Sequence, residues 1–152
     1  MSILESCSLF QGFAEKALRP IAELATPQSY APGMFIFQGG EPAHYLYVLE
    51  EGRIRLRFSE GGQVAYTLNA PGDFFGWSSL LHQSEYTLSS QCVSQVRVIR
   101  LESARVLEAL ERDPAAGMAF YRHLADFIGQ RLFSSYKATV FVHGERSSLS
   151  YG

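Results

Sequence analysis

The side chains best suited to hold a small molecule fall in one stretch, Pro71-Gly72-Asp73-Phe74-Phe75-Gly76-Trp77-Ser78-Ser79-Leu80-Leu81, followed by the polar run His82-Gln83-Ser84-Glu85-Tyr86-Thr87. Pro71-Gly72 sets a tight turn, and Gly76 lets a second group approach the backbone closely. Gly76-Trp77-Ser78-Ser79 then reads as a loop entering one turn of helix, where free N–H groups and hydroxyl oxygens collect and attract anions. The bland reading is an ordinary turn with a capped helical stub.

Other reactive side chains are too scattered for a catalytic constellation. The four histidines, His44, His82, His123 and His143, have no metal-ligand spacing, and the two cysteines, Cys7 and Cys92, form neither a C-x-x-C pair nor a zinc pattern. His82 alone lies near the glycine stretch. Arg53, Arg55 and Arg57 alternate with Ile54, Leu56 and Phe58, so the arginines share one face of a strand and the apolar residues the other. Such a ladder is first of all the solvated face of a half-buried strand.

The elements that must position these residues change character along the chain. Residues Leu9 to Leu24 read as two short helices, with Pro20 starting a helical turn. From Gln28 the period becomes two. Strands are expected at Ser29–Ala31, Met34–Gln38, Tyr45–Leu49, Arg53–Phe58, Gln63–Asn69, Tyr86–Gln91 and Val96–Leu101, separated by glycine turns. Ser103 is the expected cap of a helix through Leu110. Asp113-Pro114 starts a second helix that carries a broad apolar stripe to about Tyr136. The expected organisation is a helical segment over 1–26, a barrel over 27–101 with the glycine stretch at 71–87, closing helices over 102–137 and a loose tail over 138–152.

Composition bounds the function. With 152 residues, 47% hydrophobic and 18% charged, the chain is globular in type. The net charge of −2 gives no basic footprint for nucleic acid. No DNA binding by this chain alone and no membrane span are expected, and the reduced, cysteine-poor composition suggests a cytoplasmic location.

Pro32-Gly33, Ile36, Gln38-Gly39, Leu46-Tyr47-Val48, Gly52, Pro71 to Gly76 and Arg131-Leu132 together resemble the cyclic nucleotide-binding domain of the catabolite-activator (Crp/Fnr-like) and kinase-regulatory-subunit superfamily. The resemblance implies a mainly β fold: a cupin-like jelly-roll β-barrel with N-terminal helices and a C-terminal helical lid. It also implies that 71–87 is a phosphate-binding cassette in which a glutamate after the glycine holds a ribose and a later arginine holds the cyclic phosphate. Trp77 stands at the glutamate position. The arginine position falls near Glu85-Tyr86-Thr87, and no arginine lies between Arg57 and Arg97. The cassette keeps its turns and loses its usual charge partner.

The reading is a stand-alone regulatory sensor domain, not an enzyme. It is expected to need no cofactor and to take a non-standard small ligand or none through Gly76, Trp77, Ser78, Ser79, Tyr86 and Thr87, with a cyclic nucleotide bound weakly if at all, and to signal through its closing helices. The chain ends before any helix-turn-helix pattern, so it is either a stand-alone sensor or cut from a longer regulator. A protein-interaction module with a vestigial pocket is the alternative, and a cupin-type metalloenzyme is disfavoured by the histidine spacing. The long helix is expected to form a homodimer seam through Tyr121, Leu124, Ile128 and Leu132, with Gly129 allowing close approach.

Overall fold

Short alternating strands bounded by glycine turns close into two layers, each an antiparallel sheet. The computed structural model describes residues 2–82 and 84–143, with side chains described to residue 138. The strands are β1 (Thr26–Tyr30), β2 (Phe35–Phe37), β3 (Tyr45–Glu51), β4 (Ile54–Phe58), β5 (Val64–Leu68), β6 (Phe74–Phe75), β7 (Leu88–Cys92) and β8 (Val96–Glu102). Among the described residues they form two four-stranded sheets, ordered β1-β8-β3-β6 and β2-β7-β4-β5. With flanking helices this is the jelly-roll plan expected above.

The strand β3 explains the arrangement. Its run Tyr45-Leu46-Tyr47-Val48-Leu49 is apolar without interruption, a pattern that demands cover on both faces. Leu46 and Val48 pack with β8 and the helices in one core, while Tyr47 and Leu49 join Phe37, Ile54 and Phe75 in the barrel interior. The pair Phe74-Phe75 divides in the same way, Phe74 toward the helices and Phe75 into the barrel.

The helices are α1 (Glu15–Ala22), α2 (Ser103–Glu111) and α3 (Pro114–His143), with short 3-10 turns at Ile3–Ser6, Ser8–Phe10 and Trp77–Leu80. Pro20 lies inside α1 rather than at its start. Lys16, whose carbonyl loses a donor there, and Pro20 are both exposed, so the leftover acceptor faces solvent and the cost is small. Ser103 is the first residue of α2 and not its cap. It is buried, and its hydroxyl is turned to the Ser79 hydroxyl at 2.6 Å. Asp113 does cap α3, accepting from Ala116 N–H at 3.3 Å. The helix α3 continues past Tyr136 to His143, into the segment read as tail, because no glycine or proline stops it. Residues 144–152 of that tail lie outside the described residues.

Three further differences have local causes. The two-residue strand β6 is too short to carry a period. The strand expected from Tyr86 begins at Leu88, because Tyr86 turns inward as an anchor. Phe58 keeps the face of Ile54 and Leu56 but sits at the strand end, half exposed. Of the arginine ladder, Arg57 is spent on structure: its Nε donates to Gln91 Oε1 at 2.9 Å and its Nη1 to the Gly62 carbonyl at 2.8 Å, which pins the β4–β5 turn.

Each core holds one free cysteine, Cys7 under the helices and Cys92 in the barrel. Burial pushes the Cys7 thiol up to about 12 and the Cys92 thiol up to about 11. In the unfolded chain both would ionise near their ordinary value of about 9, so the folded state binds more protons above that pH. Stability from these groups is therefore full below pH 9 and falls from there, through about pH 12 for Cys7 and through about pH 11 for Cys92. Neither thiol should react with an aromatic disulfide at pH 8 until denaturant unfolds the chain. Rapid labelling of the native protein would contradict this burial.

Candidate functional site

The cassette is built by fixing a turn at both ends. Gly72 N–H donates to the Leu49 carbonyl at 2.8 Å, and the Asp73 carboxylate accepts from Ala70 N–H at 3.1 Å, so Asp73 is committed to its own turn. The strand β6 then pairs with β3 through Tyr47↔Phe75 and Val48↔Phe74. Gly76 follows with φ of 78°, a left-handed conformation. A Cβ there would lie 3.0 Å from the Tyr45 carbonyl and 3.2 Å from the Tyr47 ring. Glycine is needed on both counts, conformation and space.

After Gly76 the chain makes a 3-10 turn, Trp77–Leu80, rather than an α-helical start. The Ser79 hydroxyl donates to the Gly76 carbonyl at 2.7 Å and thus accepts from the Ser103 hydroxyl, since each hydroxyl has one proton to give. Ser79 locks the turn onto α2 and is absent from the recess lining. The anion-attracting stub expected from the sequence is a four-residue turn with one of its two hydroxyls turned inward.

Gly76, Trp77, Ser78, Tyr86 and Thr87 do come together around one recess. Phe37, Leu56 and Leu88 join Tyr86 on its apolar side, and Tyr66 of β5 and Arg131 of α3 complete it. It offers about 60 Å³ to the centres of water molecules and about 430 Å³ of empty space including its mouth. The smaller figure is the enclosed part, well below the roughly 300–1,000 Å³ of drug-sized ligand sites, so a ligand of that size would lie partly in the open mouth.

Tyr86 closes the inner end. Its ring stacks on Phe37 with centroids 3.8 Å apart, and its hydroxyl donates to the Tyr45 carbonyl at 2.7 Å and accepts from Tyr45 N–H at 3.1 Å. Burial pushes its phenol up, while the hydrogen bond to the Tyr45 backbone pulls the other way. Tyr86 thus anchors the 81–87 loop to the start of β3. Thr87 stays exposed at the mouth.

The histidines disperse. His44 and His82 are exposed, and the His123 Nδ1 lies 3.1 Å from the Leu9 carbonyl, tying α3 to the N-terminal segment. The side chain of His143 lies outside the described side chains. Among the described residues no three His, Cys, Asp or Glu side chains converge on a common point for a metal ion.

Sequence reasoning missed the link between this recess and the long helix. Phe127 of α3 packs on Phe74 with ring centroids 4.4 Å apart and meets Trp77 edge to face at 6.3 Å. One turn later, the Arg131 guanidinium lies 3.8 Å from the Tyr66 ring centroid and 4.6 Å from that of Phe127. A signal was present. Arg131 falls at helical spacing on the same face as Phe120, Leu124 and Phe127, a charge on an otherwise apolar face.

Residues 27–113 match the family described as cyclic nucleotide-binding domain. The chain belongs to the cyclic nucleotide-binding domain family. A CRP-like cAMP-activated global transcriptional regulator of Mycobacterium tuberculosis is 26% identical over 102 residues, covering 66% of this chain and 46% of that protein. The Thermus thermophilus catabolite activator protein superposes with a TM-score of 0.74 at 26% identity, covering 90% of this chain and 63% of that one. At 22% identity, the sensor domain of the transcriptional regulator DNR from Pseudomonas aeruginosa shares the fold, with a TM-score of 0.71 and coverage of 98% of this chain and 94% of that one. The domain spans about half the length of the curated regulator, at 46%. Within this cyclic nucleotide-binding domain, Trp77 at the glutamate position faces Phe127, and Glu85 is exposed beside a bridge to Pro42. No described helix is long and apolar enough to cross a membrane.

Proposed function

We propose that the domain is a regulatory sensor, not an enzyme, that takes a small ligand in the Trp77 recess and reports its presence through α3. The observation that carries this reading is the contact of Phe127 with both Phe74 and Trp77, which joins the cassette to the helix. A ligand that moves the cassette turn changes the seat of Phe127, and two seats of one helix suffice for a switch. Among the described residues no three His, Cys, Asp or Glu side chains gather as a cupin-type metal site would require.

The ligand is not cAMP or cGMP held in the usual way. The ribose glutamate is replaced by Trp77 and the cassette arginine is missing, so the charge-assisted contacts of the family pattern have no counterpart in the loop. Calorimetry should give dissociation constants weaker than about 10 µM for both nucleotides, the equivalent of about 7 kcal/mol. Tighter cAMP binding would contradict the reading.

The sensor acts as a homodimer through the outer face of α3. Leu124 is only 2% exposed and fills the chain's own core, so it drops out of the expected seam. Ile128 packs partly against that core. The cause is the 100° step of the helix, which turns Phe120, Leu124 and Phe127 toward the barrel and Met118, Tyr121, Ala125 and Leu132 away. Met118 at 64% and Leu132 at 52% exposure, with Tyr121, are a large apolar surface for one helix. Open space beside Gly129 leaves room for a second backbone. Sedimentation should show a dimer that Leu132→Glu dissociates without loss of helix content. A monomeric wild type at high micromolar concentration would contradict the seam.

A further inference from the structure

We propose that Arg131, reaching in from α3, is the oxyanion-binding residue of the recess, and that the recess takes a flat ring bearing a phosphate or carboxylate group. The inference rests on the sensor reading above and specifies its ligand. Arg131 is the one ionised side chain among the described residues that line the recess, so a charged ligand there must be an anion.

The geometry leaves its donors available. The guanidinium carbon lies over the Tyr66 ring at 3.8 Å and over the Phe127 ring at 4.6 Å. Ring faces hold the group by its charge without supplying a hydrogen-bond acceptor atom, so its five N–H donors keep the capacity to grip two oxygens. Among the described residues Arg131 makes no hydrogen bond and no ion pair. Glu85, the carboxylate that would oppose an anion from the cassette loop, is exposed and outside the lining.

The rest of the recess suits a ring. Trp77 and Leu56 offer apolar surface, and Ser78 and Thr87 bring two hydroxyl-bearing side chains to the lining. Beside two of the lining residues in the sheet is a buried polar group without a bond among the described residues. Ser90 is fully buried on β7, and its hydroxyl has no hydrogen-bond partner among the described residues. Ser90 pairs across the sheet with Phe37 and Leu56, so it lies on the same face as these two lining residues. Ser90 itself is not among the residues that line the recess.

Because the cation belongs to α3, capture of the anion acts directly on the helix. An oxyanion that draws the Arg131 edge toward Ser78 and Thr87 loads the same helical turn that seats Phe127. In the family pattern the anion is held by the cassette loop; here the loop contributes surface and the helix contributes charge.

The single tryptophan, Trp77, supplies the readout. Its fluorescence in the full chain should be titrated with phenyl phosphate and benzoate, and with neutral benzamide of similar shape. The proposal expects at least one of the two anions to bind about tenfold or more tightly than benzamide, and which one does so separates a phosphate site from a carboxylate site. Arg131→Gln should remove that advantage and leave benzamide unchanged. Arg131→Lys, which retains the charge and guards against a folding defect, should restore only part of it, because an ammonium lacks the planar fork. Arg55→Gln, on the opposite face of β4, should have no effect. Benzamide binding as well as both anions, or an anion preference that survives Arg131→Gln, overturns the assignment while leaving a ligand-binding sensor intact. Silence of Trp77 toward all three probes overturns both the assignment and the sensor reading.

Discussion

Phe127 is the residue on which the two halves of the structure depend. It leaves α3 at the point where the helix crosses β6, and it touches Phe74 of the strand and Trp77 of the turn that follows. Both contacts are made by apolar rings, which add a geometric preference to their burial. The cassette cannot relax freely, because Gly76 admits no Cβ, Ser79 is bonded to Ser103, and Tyr86 is held by both backbone groups of Tyr45. A turn fixed at so many points has little freedom to absorb a displacement locally.

The layered core explains why a helix stands there at all. The strands β8, β3 and β6 carry apolar residues on both faces, and the barrel interior covers only one. The N-terminal turns and α1, α2 and α3 cover the other, so every one of these elements packs on the back of the strands that carry the cassette. Leu124 and Phe120 meet that requirement for α3, which is why Leu124 is unavailable to a partner. The outer face carrying Met118, Tyr121 and Leu132 is left over after the lid is built.

Much of the fold was legible because its signals are local. Strict alternation at Ile54–Phe58, the β-branched run from Val96 and the glycine turns between strands act over a few residues and are legible to within their ends. Pro20 and Ser103 were misplaced because proline and serine favour helix starts statistically, while tertiary packing decided both: a solvent-facing gap in one case, a hydroxyl pair to Ser79 in the other. The candidate site was legible only in its contiguous part. Gly76, Trp77, Ser78, Tyr86 and Thr87 lie within one loop, whereas Phe37, Tyr66 and Arg131 enter from β2, β5 and α3 and are neighbours only once the barrel has closed. Tyr86 was placed in the recess from its proximity to the cassette, but its hydroxyl is committed to Tyr45, a role no spacing announces.

The cassette loop has no arginine between Arg57 and Arg97, while Arg131 lines the same recess from another element. What matters for an anion is a cation within reach, and the fold supplies it from the helix. The central claim is that the state of the cassette is read by α3 through Phe127. The most direct measurement is amide hydrogen exchange in the full chain after Trp77→Ala, comparing α3 around Phe127 with the central strand β8. The account predicts that α3 amides exchange about tenfold faster, a loss of about 1.4 kcal/mol of local stability, while β8 keeps its protection. Equal acceleration in both elements, or none in α3, would contradict it.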